Sequence, residues 1–209
     1  MAVVLCYGDS NTHGFDQATG GRYPGDVRWP GVLAALLGPS VEVISEGLNG
    51  RTTTWDDPYM PDRNGRTYLG PCLASHAPID AVVLMLGTND TKTIFARSAP
   101  EIAAGVSALL DVIAASGAGP DGAAPKVLLI APPPVLAGDQ RTEIWGFGDA
   151  PAKSARFGEL YRIVAATGGA AFLDASPIAE VDPADGVHLT PAGHAALARA
   201  VAHEVRALL

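Results

Sequence analysis

Among 209 residues the sequence has only two cysteines, Cys6 and Cys72. That is too few for a disulfide framework, and each sits in an apolar pattern that reads as a buried small hydrophobe. Aromatic residues make up 6% and charged residues 17% of the chain. Lysine and arginine number 14 against 22 acidic residues, a formal net charge of −8, and the cations form no cluster. Without a basic patch, neither a nucleic-acid partner nor an anionic membrane surface is expected. No apolar run nears the roughly 18 residues of a membrane span; the longest, such as Ala81–Leu86, have the length of a strand. The N-terminus shows no basic region and no cleavage site, so a cytoplasmic location is expected. There is no internal repeat and no charge block. Ser116–Pro125, small and rich in Gly and Pro, reads as a loop.

Hydrophobic residues make up 48% of the chain, beside 24 glycines and 17 prolines. That combination predicts a packed core carrying long structured loops, within one domain spanning 1–209. A domain of this size buries roughly 70% of its unfolded surface and needs no metal or disulfide staple. Short apolar runs bounded by turn residues predict strands at Val3–Tyr7, Val41–Ser45, Ala81–Gly87, Val127–Ala131 and Ala170–Asp174. Apolar on both sides, they read as parallel strands covered on both faces.

Helical patterns alternate with them. One has Pro30 near its start and Gly38 as its stop, one opens on a Ser98/Glu101 capping box, and the last starts at Thr190-Pro191. Weaker patterns cover about Tyr68–His76 and Ala152–Ala166. This predicts a doubly wound α/β fold of flavodoxin-like order 2-1-3-4-5. Ligands then bind beyond the strand ends, at the switch point between the first and third strands.

Gly8-Asp9-Ser10 follows the first strand and Gly87-Thr88-Asn89-Asp90 the third. Asn49-Gly50-Arg51 follows the second, and Asp185-Gly186-Val187-His188 precedes the last helix. Acyl transfer needs a hydroxyl nucleophile, a base within reach, a group that orients the base, and donors for the oxyanion. Ser10, His188 and Asp185 supply the first three. The main-chain N–H groups of Ser10 and Gly50, with the Asn89 amide, supply the last. Taken singly, each segment also reads as a turn or a helix-entry loop.

In this order they resemble the SGNH (GDSL-type) hydrolase family over nearly the whole chain. Gly8-Asp9-Ser10 is similar to its nucleophile block, Gly50 to its glycine block, Gly87–Asp90 to its asparagine block and Asp185-x-x-His188 to its histidine block. The resemblance implies a three-layer α/β/α sandwich with Ser10, Asp185 and His188 as triad. It also implies an oxyanion hole of Ser10, Gly50 and Asn89, with no metal or cofactor. Asp26-Val27-Arg28-Trp29, Glu46-Gly47-Leu48, Arg51-Thr52-Thr53 and Leu86–Lys92 are similar to the bacterial arylesterase branch. That branch implies short acyl groups, acyl transfer to alcohols or peroxide, and a homo-oligomer acting on a small-molecule ester. Two positions depart from the pattern: Asn11 stands where the family usually has Leu, and His13 where acyltransferase-type members carry Trp. A more polar pocket wall there points toward acetylated sugars as an alternative substrate.

The candidate substrate-binding residues are Asp9, Asn11, His13, Thr88, Lys92, Trp145, Phe147 and Val187. Trp145 and Phe147 lie in the long connection after the fourth strand. Arg51 is expected to pair with Asp56 or Asp57. His13, His76, His194 and His203 show no metal spacing among themselves. A flavodoxin-like nucleotide- or flavin-binding module is the remote alternative, disfavoured because the first loop has no glycine-rich phosphate cradle. Gly-x-Ser-x-Gly is absent, which argues against an α/β-hydrolase elbow.

Overall fold

The computed structural model describes residues 1–137 and 143–209. Five strands, β1 (Ala2–Gly8), β2 (Val41–Gly47), β3 (Ala81–Met85), β4 (Lys126–Ala131) and β5 (Ala171–Asp174), form one sheet ordered β2-β1-β3-β4-β5. Every pairing in it is parallel. This is the order expected from the sequence.

Side chains alternate across the sheet with the period of two that strands impose. Leu5, Tyr7, Val82, Leu84 and Leu129 pack against α3 (Gly65–His76), α4 (Ala99–Ala114) and α6 (Phe157–Gly168). Val4, Cys6, Val83, Met85, Leu128 and Ile130 pack against α2 (Trp29–Leu37) and α7 (Pro191–Leu208). Both layers therefore bury apolar area, at about 1.5–3 kcal/mol for each large side chain fully withdrawn from water. Cys6 and Cys72 are free and buried.

The helix signals have their expected local causes. Ser98 and Glu101 form both halves of the capping box that opens α4. The Thr190 side chain caps α7 by accepting from the Gly193 N–H at 3.0 Å, with Pro191 in the first turn. α3 starts three residues before the expected Tyr68, because the Asn64 side chain accepts from the N–H groups of Arg66 and Thr67.

The expected helix over 152–166 is two, α5 (Ala150–Ser154) and α6. The Ser154 hydroxyl donates to the Ala150 carbonyl and accepts from the Val135 N–H, tying α5 to the loop after β4. The chain then turns to put Phe157 and Tyr161 under the sheet. A two-residue antiparallel ladder, Phe15–Asp16 with Gly21–Arg22, was not expected from the sequence. Of the long 132–151 connection, residues 138–142 lie outside the described residues.

Register places the site. Gly8 pairs with Gly47 on one side and Met85 on the other, so the three strands end level. The short helix α1 (Ser10–His13) crosses directly over the end of β2. A Cβ on Gly47 would lie 2.1 Å from the His13 nitrogen, so only glycine admits that crossing.

Candidate active site

Ser10 opens α1, immediately after Asp9, whose side chain caps that turn by accepting from the Asn11 N–H at 2.9 Å. Across the rim, the loop before α7 brings His188 to it, with Nε2 3.0 Å from Ser10 Oγ. His188 Nδ1 is 2.6 Å from Asp185 Oδ2. The other carboxylate oxygen, Oδ1, accepts from the N–H groups of Val187 and His188, each at 2.9 Å. Burial works to raise the Asp185 carboxyl. The hydrogen bond and charge of His188 and those two N–H groups outweigh it and hold the carboxyl below its usual value. Asp185 is therefore ionised and fixed against the imidazole.

Gly50 has φ +79°, a conformation that favours glycine, and a Cβ there would lie 3.1 Å from the Met60 side chain. Among the described residues, no acceptor takes the main-chain N–H of Ser10 or of Gly50. Asn89 sits in the turn after β3, and its Nδ2 donates to the Arg51 carbonyl at 3.1 Å, which among the described residues leaves its second amide proton unused.

Arg51 does not pair with Asp56 or Asp57. Its guanidinium is buried over the Tyr7 ring, 4.2 Å from the centroid, and donates to the carbonyls of Gly8, at 2.9 Å, and Glu46. It thus ties the ends of β1 and β2 to the Gly50 loop and, through its own carbonyl, to Asn89. The two aspartates are occupied elsewhere: Asp56 accepts from Asn64, and Asp57 from the N–H groups of Tyr59 and Met60.

Ser10, Gly50, Asn89 and His188 open into a cavity of about 810 Å³. Lys92, Trp145, Phe147 and Val187 line it. Trp145 meets the His188 ring edge-on, with centroids 6.1 Å apart, and Phe147 packs with Val135, Ala150 and Val187. Lys92 Nζ lies 5.4 Å from the Phe147 ring centroid. Burial lowers the pKa of Lys92, and the nearby Asp57 carboxylate opposes that.

Four expected substrate contacts do not line the cavity. Asp9 is buried beneath it as the cap of α1. Asn11 faces the other loop: its amide donates to the Val187 carbonyl at 3.2 Å and accepts from the Leu189 N–H at 3.0 Å, so it holds the His188 segment. His13 closes α1 beside Gly47, and Thr88 is buried within the turn before Asn89. In their place stand Phe15, whose ring is 4.5 Å from that of His188, together with Asn49, Met60 and Ile144. Phe15 arrives on the unexpected two-residue ladder, Asn49 and Met60 come from irregular segments, and Ile144 from a short helical stretch.

Asp90 follows Asn89 and is fully buried, with both oxygens accepting from the Thr53 N–H. Burial pushes its carboxyl up to about 7, against the opposing hydrogen bonds from Thr53, and likewise pushes Asp9 up to about 6. An acid raised in the folded state holds its proton better there than in the unfolded chain, where its pKa is about 4. Its contribution to stability is therefore full below about pH 4 and declines through about pH 7, by at most about 1.4 kcal/mol per pH unit. Asp90→Asn removes that decline. Urea denaturation across this range is expected to show the variant gaining on the wild type as pH rises; a difference independent of pH would refute the assignment.

A hydroxyl against an imidazole, itself held by a buried carboxylate, at the switch point of an α/β/α sandwich, defines the class: a hydrolase of the serine type. A profile of the GDSL-like lipase/acylhydrolase family matches residues 6–196, and the chain belongs to that family. It is a carboxylic ester hydrolase. It is similar to the M. smegmatis aryl esterase, at 41% identity over 100% of both chains with a TM-score of 0.93. It is also similar to a carbohydrate acetylesterase from Sinorhizobium meliloti, at 40% identity over 100% of both chains with a TM-score of 0.94. A lipolytic G-D-S-L family member from Veillonella parvula, 17% identical with a TM-score of 0.71 over 100% of both chains, shares the fold. A sequence search of curated proteins gave no match. Among the described residues, no helix is long and apolar enough to cross a membrane.

Proposed function

We propose that residues 1–209 act as one catalytic domain that hydrolyses short-chain, acetyl-type esters, aryl esters among them, through an acyl-Ser10 intermediate. The observation that carries this is the hydrogen-bonded series Ser10–His188–Asp185 opening into the cavity. Ser10 Oγ attacks the ester carbonyl carbon while His188 Nε2 takes its proton. The carbonyl oxygen, now negative, accepts from the N–H groups of Ser10 and Gly50 and from Asn89 Nδ2. His188 returns the proton to the leaving alcohol and the acyl group stays on Ser10. Water attacks next with His188 as base, and an alcohol or peroxide in the same position gives acyl transfer instead. The ratio of ester to acid formed in aqueous alcohol measures that partition. Asn89→Ala is expected to lower kcat by about 10²–10³-fold. A change below about fivefold would remove Asn89 from the oxyanion site.

A second reading is an acetylesterase for acetylated sugars. The cavity far exceeds an acetyl group, and Asn49, Asp57, Lys92 and Glu143 make part of its lining polar, which suits a hydroxylated leaving group. Acetate release from acetylated sugars, set against aryl acetate turnover, decides between the two. Tyr59 and Ile144, 82% and 79% exposed beside the cavity, support a homo-oligomer in which another copy covers them. Light scattering tests this; a monomer at all concentrations would refute it. The two free thiols support a reducing, cytoplasmic setting, and the net charge of −8 supports the absence of a nucleic-acid partner.

A further inference from the structure

Away from the cavity, β2 and α3 bring three metal-ligating side chains together. Cys72 and His76 lie one turn apart on α3, the spacing that puts a thiol and an imidazole on one helix face. Glu46, near the end of β2, meets them: donor atoms of the three lie within 4.8 Å of one another, and Glu46 Oε1 is 3.0 Å from His76 Nε2. We propose that Glu46, Cys72 and His76 form a binding site for a thiophilic divalent cation of the zinc class.

The donor set selects the ion. Thiolate, imidazole and carboxylate together suit zinc and its neighbours, whereas calcium and magnesium take oxygen ligands. Tetrahedral bonds of about 2.0–2.3 Å set donor atoms about 3.3–3.8 Å apart, so the Glu46–His76 pair, at 3.0 Å, has to open while the cluster as a whole, within 4.8 Å, draws in. Glu46 and His76 have side chains 22% and 29% exposed, which gives an ion access and leaves water the fourth position. Tyr68 Oη lies 3.4 Å from Glu46 Oε2, orienting the carboxylate with Oε1 toward the other ligands.

Burial and one charged neighbour set the electrostatics. Burial, and after it the Glu46 carboxylate, push the Cys72 thiol up to about 12; the Arg51 guanidinium, over the rings of Tyr7 and Tyr68, works against that shift and opposes the cation. With Cys72 ionised, the ligands carry two negative charges against that one positive charge. On binding, the Cys72 Sγ–H proton leaves to solvent as the sulfur–metal bond forms, and the imidazole binds through a neutral nitrogen. One proton is released per ion, so affinity rises about tenfold per pH unit.

The test is titration of the chelator-stripped full chain with Co²⁺, followed by Zn²⁺. One equivalent per chain is expected, with a sulfur-to-cobalt charge-transfer band that Zn²⁺ removes and an affinity about tenfold higher at pH 8 than at pH 7. Cys72→Ser should abolish the band, while Cys6→Ser, on β1, should keep it. His76→Ala, a change at a partly exposed position, should weaken binding at least about tenfold and serves if Cys72→Ser fails to fold by circular dichroism. Absence of the band in the wild type, or a band unchanged in His76→Ala, would overturn the proposal.

Discussion

Ser10→Ala is expected to lower kcat on an aryl acetate by about 10⁴-fold or more, with KM nearly unchanged. Ser10 Oγ is the atom that forms the bond to the acyl carbon, and alanine offers no substitute. The fold should tolerate the change, because among the described residues the hydroxyl's hydrogen-bond partner is His188 Nε2 alone. What survives is attack by water, helped by the oxyanion donors and by substrate binding, which the variant leaves in place. A loss under about tenfold would mean that the nucleophile lies elsewhere.

Asp185→Asn is expected to cost about 10⁴-fold in kcat, although it changes the shape of the side chain very little. The reason is specific to this loop. The N–H groups of Val187 and His188 both donate to Asp185 Oδ1, and they will hold the amide oxygen of the variant in that position. The amide NH₂ then faces His188 Nδ1 and donates to it. His188 must carry its proton on Nε2, the nitrogen facing Ser10 Oγ, and in that tautomer it cannot accept the serine proton. Steady-state turnover of the purified variant, checked for native circular dichroism, measures this. A loss below about 10²-fold would show that Asp185 does not set the tautomer.

The sheet was legible because its strands are short, apolar on both sides and bounded by turn residues. All five appear within two residues of their expected bounds, and their order follows. β3 stops at Met85 rather than Gly87 because the chain turns there: Leu86 gives its carbonyl to the Tyr161 hydroxyl at 3.0 Å, and Gly87 takes φ +123°. The Ala152–Ala166 region read as one helix because periodicity records which side chains are apolar. It does not record that the Ser154 hydroxyl ties α5 to Val135.

The proximity of Ser10, His188 and Asp185 was legible from one motif set at a strand end and another set just before the last helix. The direction of side chains beside them was not. Asn11 follows the serine, yet its place on α1 turns it toward Val187 and Leu189 rather than into the cavity. Glu46, Cys72 and His76 escaped notice for a related reason. The Cys72–His76 spacing is visible on one helix, but Glu46 comes from a strand 26 residues before Cys72, and only the fold brings it there.

The central claim is that Ser10 carries the acyl group, and labelling tests it most directly. A phosphonate ester inhibitor traps an activated serine by the same attack and does not release it. Mass spectrometry of the treated wild type should find one adduct per chain, on the peptide containing Ser10, with activity lost in step with labelling. The Ser10→Ala chain should take up none. An enzyme that hydrolyses aryl acetate, yet resists the reagent or carries the adduct on another residue, would contradict the account.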